Sequence, residues 1–436
     1  MTDFYDALEH RDPASREAAM MAALPGHIAH AQRATSAFAN LLAGVDAASI
    51  TSRTALARLP VVRKHELLER QQALRADRTL NDAFGGFSAI GWRDQRAGKG
   101  ARRVFQSPGP IYEPEGLGQD YWRMARAIFA AGFRDGDLAH CSFSYHLTPA
   151  GAMMESGAHA VGCTTFAGGI GNTELQLQAV ADLRPHGYIG TPSFLKILVE
   201  KAVETGTDIR SLTKGMVGGE AFPPSLRDWL TARGLAVYQS YATADAGLIA
   251  YETASREGLV LDEAIVLEIV RPGTGDPVPD GEVGEVVVTV LNPDYPLVRF
   301  GTGDLSAVLA GTCPTGRSNT RIKGWLGRAD QTTKVRGMFV HPSQVAEVAR
   351  RHPEIVKARL VVEGEMANDR MTLKVEVEVE VEVAVAVESA GAAKALAAAV
   401  ASSVRDVTKL RAEVVLVTLG SLPNDGKVIE DARSYD

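Results

Sequence analysis

Four separated stretches of the chain combine residue types that suit a phosphorylated, sugar-bearing ligand. The first is Phe105-Gln106-Ser107-Pro108-Gly109-Pro110, between a strand-like and a helix-like segment. A loop of this kind presents backbone N–H groups and a hydroxyl to phosphate oxygens, with Ser107 and Gly109 as the candidates. Two prolines remove two donors, so a plain tight turn is the other reading. The second pairs Gly218-Gly219-Glu220-Ala221 with Tyr238-Gln239-Ser240-Tyr241-Ala242-Thr243-Ala244-Asp245, each after a short strand-like run. Glycines at a strand end let backbone approach a planar base, and Asp245 sits where a carboxylate could hold magnesium. The third, Arg299-Phe300-Gly301-Thr302-Gly303-Asp304-Leu305, puts a carboxylate after a glycine-rich strand end. An acceptor-only group there suits a pair of vicinal sugar hydroxyls. The fourth is Gly327-Arg328-Ala329-Asp330, then Lys334 to Pro342, then Asn424-Asp425-Gly426-Lys427. Taken singly, each also describes a surface loop, and a lone lysine between loop residues is ordinarily a solvated cation.

The elements that must carry these loops follow from size and pattern. A chain of 436 residues exceeds one hydrophobic core, which stops growing at roughly 250–300 residues, so two or more domains are expected. Residues 1–80 read as helical, with apolar residues at helical spacing after Asp12-Pro13. From about Val104, short apolar runs alternate with helical stretches, the pattern of an α/β layered domain with parallel strands. From Glu257 to about Leu309 the chain is strand-rich. A smaller region follows, and its run LKVEVEVEVEVEVAVAV reads as one long strand with Val buried and Glu in water. A domain boundary is placed at about residue 329.

The net charge of −7 argues against nucleic-acid and anionic-membrane partners, both of which need clustered Lys and Arg. It leaves nucleotide binding open, because backbone amides and one or two cations suffice for a phosphate. Three distant cysteines, Cys141, Cys163 and Cys313, make a disulfide framework improbable and point to a reducing cytoplasm. No run approaches ~18 apolar residues, so no membrane span is expected.

The order and spacing of the motifs say more than any one of them. R-F-G-T-G-D-L, then G-R-A-D-x-x-x-K-V-R-G-M-F-V-H-P-S-Q-V, then the terminal G-K resemble the adenylate-forming enzyme superfamily. Within it the likeness is to the phenylacetate–CoA ligase-like branch, which the run FAGGIGNTELQLQAVADLRPHGYIGTPSFL also resembles. The likeness extends from LARLPVVRKHELL to DGKVIEDAR. It implies a large multi-layer α/β domain over 1–329 with a strand-rich subdomain, and a small mobile α+β domain over 330–436. It also implies ATP-dependent activation of an aryl carboxylic acid to an acyl-adenylate, then transfer to the thiol of coenzyme A (CoA). The small domain would rotate between the half-reactions. Carried onto this sequence, Lys427 would bridge the attacking carboxylate and the α-phosphate, and Asp304 would hold the ribose hydroxyls with Arg328 beside it. Gly218, Gly219, Glu220 and Ala221, with Gln239, Ser240, Tyr241, Ala242 and Thr243, would frame adenine and the α-phosphate. Asp330 is the expected hinge, Asp245 the expected Mg2+ ligand, and Lys334, Arg336 and Gly337 the expected lining of the CoA tunnel.

Three departures accompany the resemblance. Relatives carry a lysine in the phosphate loop, and Ser107–Pro110 has none, so Ser107, backbone amides, Mg2+ and Lys99, Arg102 or Arg103 are left to stabilise pyrophosphate. Asp245 replaces a glutamate and is one methylene shorter. Some members of the branch hold zinc between the domains. Here Thr253, Val260 and Thr315 stand at the ligand positions with Cys313 alone, so no zinc is expected. The acid pocket is expected between Ser142–Gly151 and Gly187–Ser193, with Tyr145, His146, Phe166 and Gly190 as walls suited to an aromatic acid. A different acceptor, such as a carrier-protein thiol or the amine or hydroxyl of a second small molecule, stays open. So does a degenerate nucleotide-binding regulator, which Lys427, Asp304 and the GRAD hinge oppose. A homodimer is expected by resemblance only.

Overall fold

The computed structural model describes residues 3–77, 82–93, 99–329, 331, 333–364, 368–377, 386–423 and 428–433. Its contacts divide the chain into two units, Met1–Gly327 and Arg328–Asp436, so the division falls two residues before the boundary placed from sequence.

The first unit begins with the helix Pro13–Ala34. Asp12 caps it by accepting from the Ser15 N–H at 2.8 Å, and Pro13 fills the first turn, where a missing N–H costs nothing. Met20, Leu24, Ile28 and Ala31 recur at three- and four-residue spacing on one buried face. They pack into the same core as Ile265, Leu267 and Val288 of a four-stranded sheet. The helix stops where Thr35 turns its backbone extended and caps the short helix Ser36–Leu41. The helical run read after Asp12-Pro13 is therefore broken by a second N-cap.

Among the described residues the main sheet has nine strands. Five are parallel, in the spatial order Ala236–Thr243, Lys214–Val217, Gly187–Gly190, Leu138–Cys141, Thr164–Ala167. Helices Ala150–Val161, Thr173–Leu183, Pro192–Thr205 and Pro224–Thr231 connect them, as parallel pairing requires. From Leu138–Cys141 the chain adds Thr164–Ala167 on one side, then crosses back to add Gly187–Gly190 on the other. That reversal opens a crevice outside the carboxyl ends of the strands, the usual place for a ligand in such sheets. The second sheet orders Val62–Arg63, Phe300–Ser306, Gly284–Val290 and Ile265–Val270.

The second unit pairs a hairpin, Thr333–Val335 with Met338–Val340, with a four-stranded sheet of Glu413–Val417, Arg370–Val377, Ile355–Glu363 and Ile429–Asp431. Helices Pro342–Arg350 and Ala386–Thr408 contribute Val345, Val348, Val400 and Val404 to its core. Of the long alternating run read from sequence, the residues up to Val377 belong to the strand Arg370–Val377, and Ala386 and Val387 already belong to the helix. Residues 378–385 lie outside the described residues. Glu376, expected in water, is 3% exposed and accepts the Leu422 N–H at 2.6 Å. A loop covers the face that alternation alone assigned to solvent.

Candidate functional site

Strand Phe300–Ser306 projects Thr302 and Asp304 on one side, because they are two residues apart. The Tyr241 hydroxyl, from the main sheet, donates to Asp304 Oδ2 at 2.8 Å and meets Thr302 Oγ1 at 3.1 Å. Trp325 Nε1 donates to Asp304 Oδ1 at 3.1 Å. These bonds fix the plane of an acceptor-only carboxylate, the group that vicinal sugar hydroxyls need. Arg299, from the same motif, does not join them. It is 2% exposed and forms a two-point ion pair with Glu268 at 2.9 and 3.0 Å.

Beside Tyr241, the ends of Lys214–Val217 and Ala236–Thr243 approach closely. A side chain at Gly218 would come within 3.0 Å of Ser240 Oγ and 3.1 Å of its carbonyl oxygen. Glu220 turns toward the start of helix Pro192–Thr205, accepting the Ser193 N–H at 3.0 Å and its hydroxyl, where the helix dipole favours an anion. Gln239 donates its N–H to Glu252 at 3.1 Å. Gly218 and Ser240 thus meet across two adjacent parallel strands, within the two stretches expected to frame a nucleotide.

The third side is the hairpin Arg103–Ser107 and Ile111–Glu115, whose turn is Pro108-Gly109-Pro110. Ser107, expected to offer its hydroxyl to phosphate, is 3% exposed and donates it to Glu113. Arg103 bonds Glu115 at 2.9 Å, and Arg102 donates to the Leu117 carbonyl at 2.8 Å, so both arginines already hold partners of their own. The cation brought to this side is Lys64, whose Nζ lies 2.9 Å from Asp245 Oδ2. Burial, and then the charge of Asp245, push the Glu113 carboxyl up to about 8, against the opposing pull of Lys64. Among the described residues here, Glu113 Oε2, Asp245 Oδ1 and the Tyr295 hydroxyl are buried without a hydrogen-bond partner. Magnesium binds through one or two carboxylates plus phosphate oxygens and water, so these residues fit it. Sequence reasoning missed Glu113, and it gave Lys64 no role although LARLPVVRKHELL was noticed.

On the side expected to take the acid, Phe166 and His140 face each other across paired strands, rings 5.2 Å apart, with Tyr188 stacked beyond at 6.4 Å. His140 Nε2 and Ser142 Oγ both contact Gln176 Oε1, at 2.7 and 2.9 Å. An amide oxygen only accepts, so Nε2 carries the imidazole proton. Burial lowers the pKa of His140, keeping it neutral. The Gln176 amide donates to the carbonyls of Gly169 and Gly171 at 2.9 and 2.7 Å, tying their loop to this cluster. His146, expected as a wall, is exposed, and the structure puts His140 against Phe166 in its place. Tyr145 is half-buried against Gly151, where an added Cβ would lie 2.9 Å from its ring. At Gly190 a Cβ would fall 2.1 Å from the Tyr188 hydroxyl, so only glycine fits beside that ring.

In the second unit, Arg336 (φ +47°) and Gly337 (φ +83°) form the turn of the Thr333–Val340 hairpin. Arg336 donates its backbone N–H to Asp369 Oδ2 at 2.9 Å and its guanidinium to the Asp369 carbonyl at 2.8 Å. Lys334 Nζ sits 5.9 Å from the Phe339 ring centre. Arg328 opens this unit, whereas Asp304 belongs to the first. The expected hinge Asp330 and the expected catalytic Lys427 both lie outside the described residues. Cys313 Sγ is surrounded by hydroxyls, Thr315 at 3.1 Å, Thr253 at 3.3 Å and Ser255 at 3.6 Å. Among the described residues, no three His, Cys, Asp or Glu side chains gather in a metal-holding group.

Comparison with known proteins gives the arrangement a family. Residues 124–290 match the AMP-binding enzyme family and residues 337–432 the AMP-binding enzyme C-terminal domain. The chain is 31% identical over 290 residues to the phenylacetate-coenzyme A ligase of Aromatoleum evansii, covering 63% of this chain and 65% of that protein. It is 32% identical over 262 residues to the Thermus thermophilus phenylacetate-coenzyme A ligase, covering 58% of this chain and 59% of that protein. These matches span less than two thirds of either relative. The crystal structure of 2-hydroxyisobutyryl-CoA ligase in complex with 2-HIB-AMP and CoA superposes with a TM-score of 0.79 at 25% identity, covering 98% of this chain and 92% of that one. The chain belongs to the adenylate-forming AMP-binding enzymes, and within them it is similar to phenylacetate-coenzyme A ligases.

Proposed function

We propose that this protein activates an aryl carboxylic acid, an arylacetate or substituted benzoate, with ATP and passes the acyl group to the thiol of CoA. The observation that carries this reading is the Asp304 carboxylate, fixed by Tyr241 and Trp325 beside the close-packed Gly218–Ser240 strand ends. In it, Asp304 holds the ribose hydroxyls, and the backbone at Gly218–Ala221 and Gln239–Thr243 flanks the base. The acid carboxylate then meets the α-phosphate with Lys427 between them, a fixed cation where oxygen charge grows in the transition state. Asp245 and Glu113 would hold Mg2+, which when bound supplies positive charge to the phosphates. The Phe166–His140–Tyr188 stack offers aromatic surface toward the acid side and a neutral imidazole that leaves the acid's charge unpaired there. Rotation of the second unit about Asp330 would exchange Lys427 for the Lys334–Gly337 turn and admit CoA.

We place the reaction in the cytoplasm. Cys141, Cys163 and Cys313 are free and buried, as suits a reducing compartment. Among the described residues no helix is long and apolar enough to cross a membrane. A homodimer acting on small molecules, without nucleic acid, is part of the same proposal.

The test is acid-dependent ATP–pyrophosphate exchange over a panel of arylacetates and benzoates, with and without CoA. Exchange plus thioester formation is expected. Exchange without thioester would move the acceptor to another nucleophile, and no exchange with any acid would refute the proposal. Lys427→Ala is expected to abolish exchange while leaving thioester formation from a supplied adenylate largely intact.

A further inference from the structure

We propose that Glu113 and Asp245 together form a divalent-cation site that fills before any nucleotide is bound, with Glu113 as a metal ligand. Asp245 alone is assigned to the ion by family likeness, and the role of Glu113 rests on this chain's own geometry.

Glu113 is 2% exposed and Asp245 6%. Each carboxylate uses one oxygen on a fixed neighbour: Glu113 Oε1 takes the Ser107 hydroxyl, and Asp245 Oδ2 takes Lys64 at 2.9 Å. The other oxygen of each is buried without a hydrogen-bond partner, and so is the Tyr295 hydroxyl, which the charges of both carboxylates reach. Buried charge is tolerated where it is paired. Lys64 pairs with Asp245 at 2.9 Å, which leaves Glu113 Oε2 and Asp245 Oδ1 as buried acceptor oxygens that no donor satisfies. A hard divalent cation supplies that deficit, displacing any proton on Glu113, since it takes oxygen ligands and needs only one or two from carboxylates. Ser107 orients Glu113 and Lys64 orients Asp245, so the ligands are held before the ion arrives. This arrangement also answers the missing lysine of Ser107–Pro110, because the ion would be a resident positive charge on the phosphate side.

The inference rests on the proposed function only for the use of the ion, and its test needs neither ATP nor acid. Mn2+ is titrated into the full-length, nucleotide-free protein and free Mn2+ is read by electron paramagnetic resonance. One Mn2+ per chain is expected, and Glu113→Gln and Asp245→Asn should each weaken it by about tenfold or more, at least what loss of a residue behind a ligand costs. Mn2+ should raise the melting temperature of the unsubstituted protein and much less that of Glu113→Gln, because only the former gains binding free energy on folding. Absence of Mn2+ binding in the unsubstituted protein would overturn the proposal and point to a proton held on Glu113. Unchanged binding in Glu113→Gln would overturn it equally. Pyrophosphate exchange, measured separately, decides the proposed function.

Discussion

Arg299 invites a functional reading from its motif, and the structure opposes that reading. All five guanidinium N–H groups are used: two on Glu268 at 2.9 and 3.0 Å, and three on the carbonyls of Ala57 at 2.9 Å, Gly275 at 2.7 Å and Leu59. The side chain therefore knits the segment before strand Val62–Arg63, the turn after Ile265–Val270, and the strand bearing Asp304. Arg299→Lys keeps the charge but offers three donors, so at least two acceptors lose a bond. Hydrogen bonds to or from charged groups are worth about 1.5–3 kcal/mol each, which puts the loss at roughly 3–5 kcal/mol after some relaxation. Unfolding entropy of about 2.1 cal/mol/K per residue over the first unit, Met1–Gly327, gives about 0.7 kcal/mol/K. The melting temperature should therefore fall by roughly 4–7 °C. The assay pairs thermal melts with the KM for ATP in pyrophosphate exchange, measured well below the melt. The KM is expected to stay within about twofold. An unchanged melt with a KM for ATP raised tenfold would refute this reasoning, because it would mean that the guanidinium serves the nucleotide.

Other predictions rest on single contacts. Tyr241→Phe removes the 2.8 Å hydrogen bond to Asp304 and should raise the KM for ATP about tenfold with kcat little changed, the effect of about 1.4 kcal/mol. A matching rise in the acid KM would argue against a nucleotide role for Asp304. Burial, then the neighbouring His30, lower His27 from 6.5 to about 4. The unfolded chain therefore binds the proton first. This stability is present above about pH 6.5 and is lost as pH falls toward 4, to a total of roughly 3 kcal/mol. Urea midpoints between pH 7 and 4 should fall less steeply for His27→Gln, and an unaltered slope would exclude His27 as the source. Glu9 is 1% exposed and accepts from the Tyr251 hydroxyl at 2.5 Å and from Arg317 at 2.6 Å. Glu9→Ala should cost about 3–5 kcal/mol in urea titration by leaving a buried guanidinium unpaired, and a loss under 1 kcal/mol would show that water replaces the carboxylate.

What could be read without coordinates had a local cause. Short apolar runs, turn residues and helical spacing announce parallel strands joined by helices, and in such a sheet the loops after the strands share one edge. That is why Gly190, Gly218 and the residues around Ser240 could be named as candidates from sequence: each stands at or near the carboxyl end of a parallel strand. The helical N-terminal region and the two-unit division are local in the same sense, set by periodicity and by a shift in pattern.

What tertiary structure decided involves partners distant in sequence. Lys64 and Asp245 lie 181 residues apart and pair at 2.9 Å, and Tyr241 reaches Asp304 across 63 residues from another sheet. No spacing rule joins such positions. Nothing in the sequence singles out Glu113, and only the fold buries it beside Asp245. His146 and His140 are six residues apart and chemically equal in the sequence. Strand Leu138–Cys141 carries His140 into the sheet between Phe166 and Tyr188, whereas the loop beyond leaves His146 in solvent. Sequence by itself therefore determined which loops gather at the edge of the sheet. Packing decided which charges face one another there, because burial and long-range pairing are properties of the folded chain.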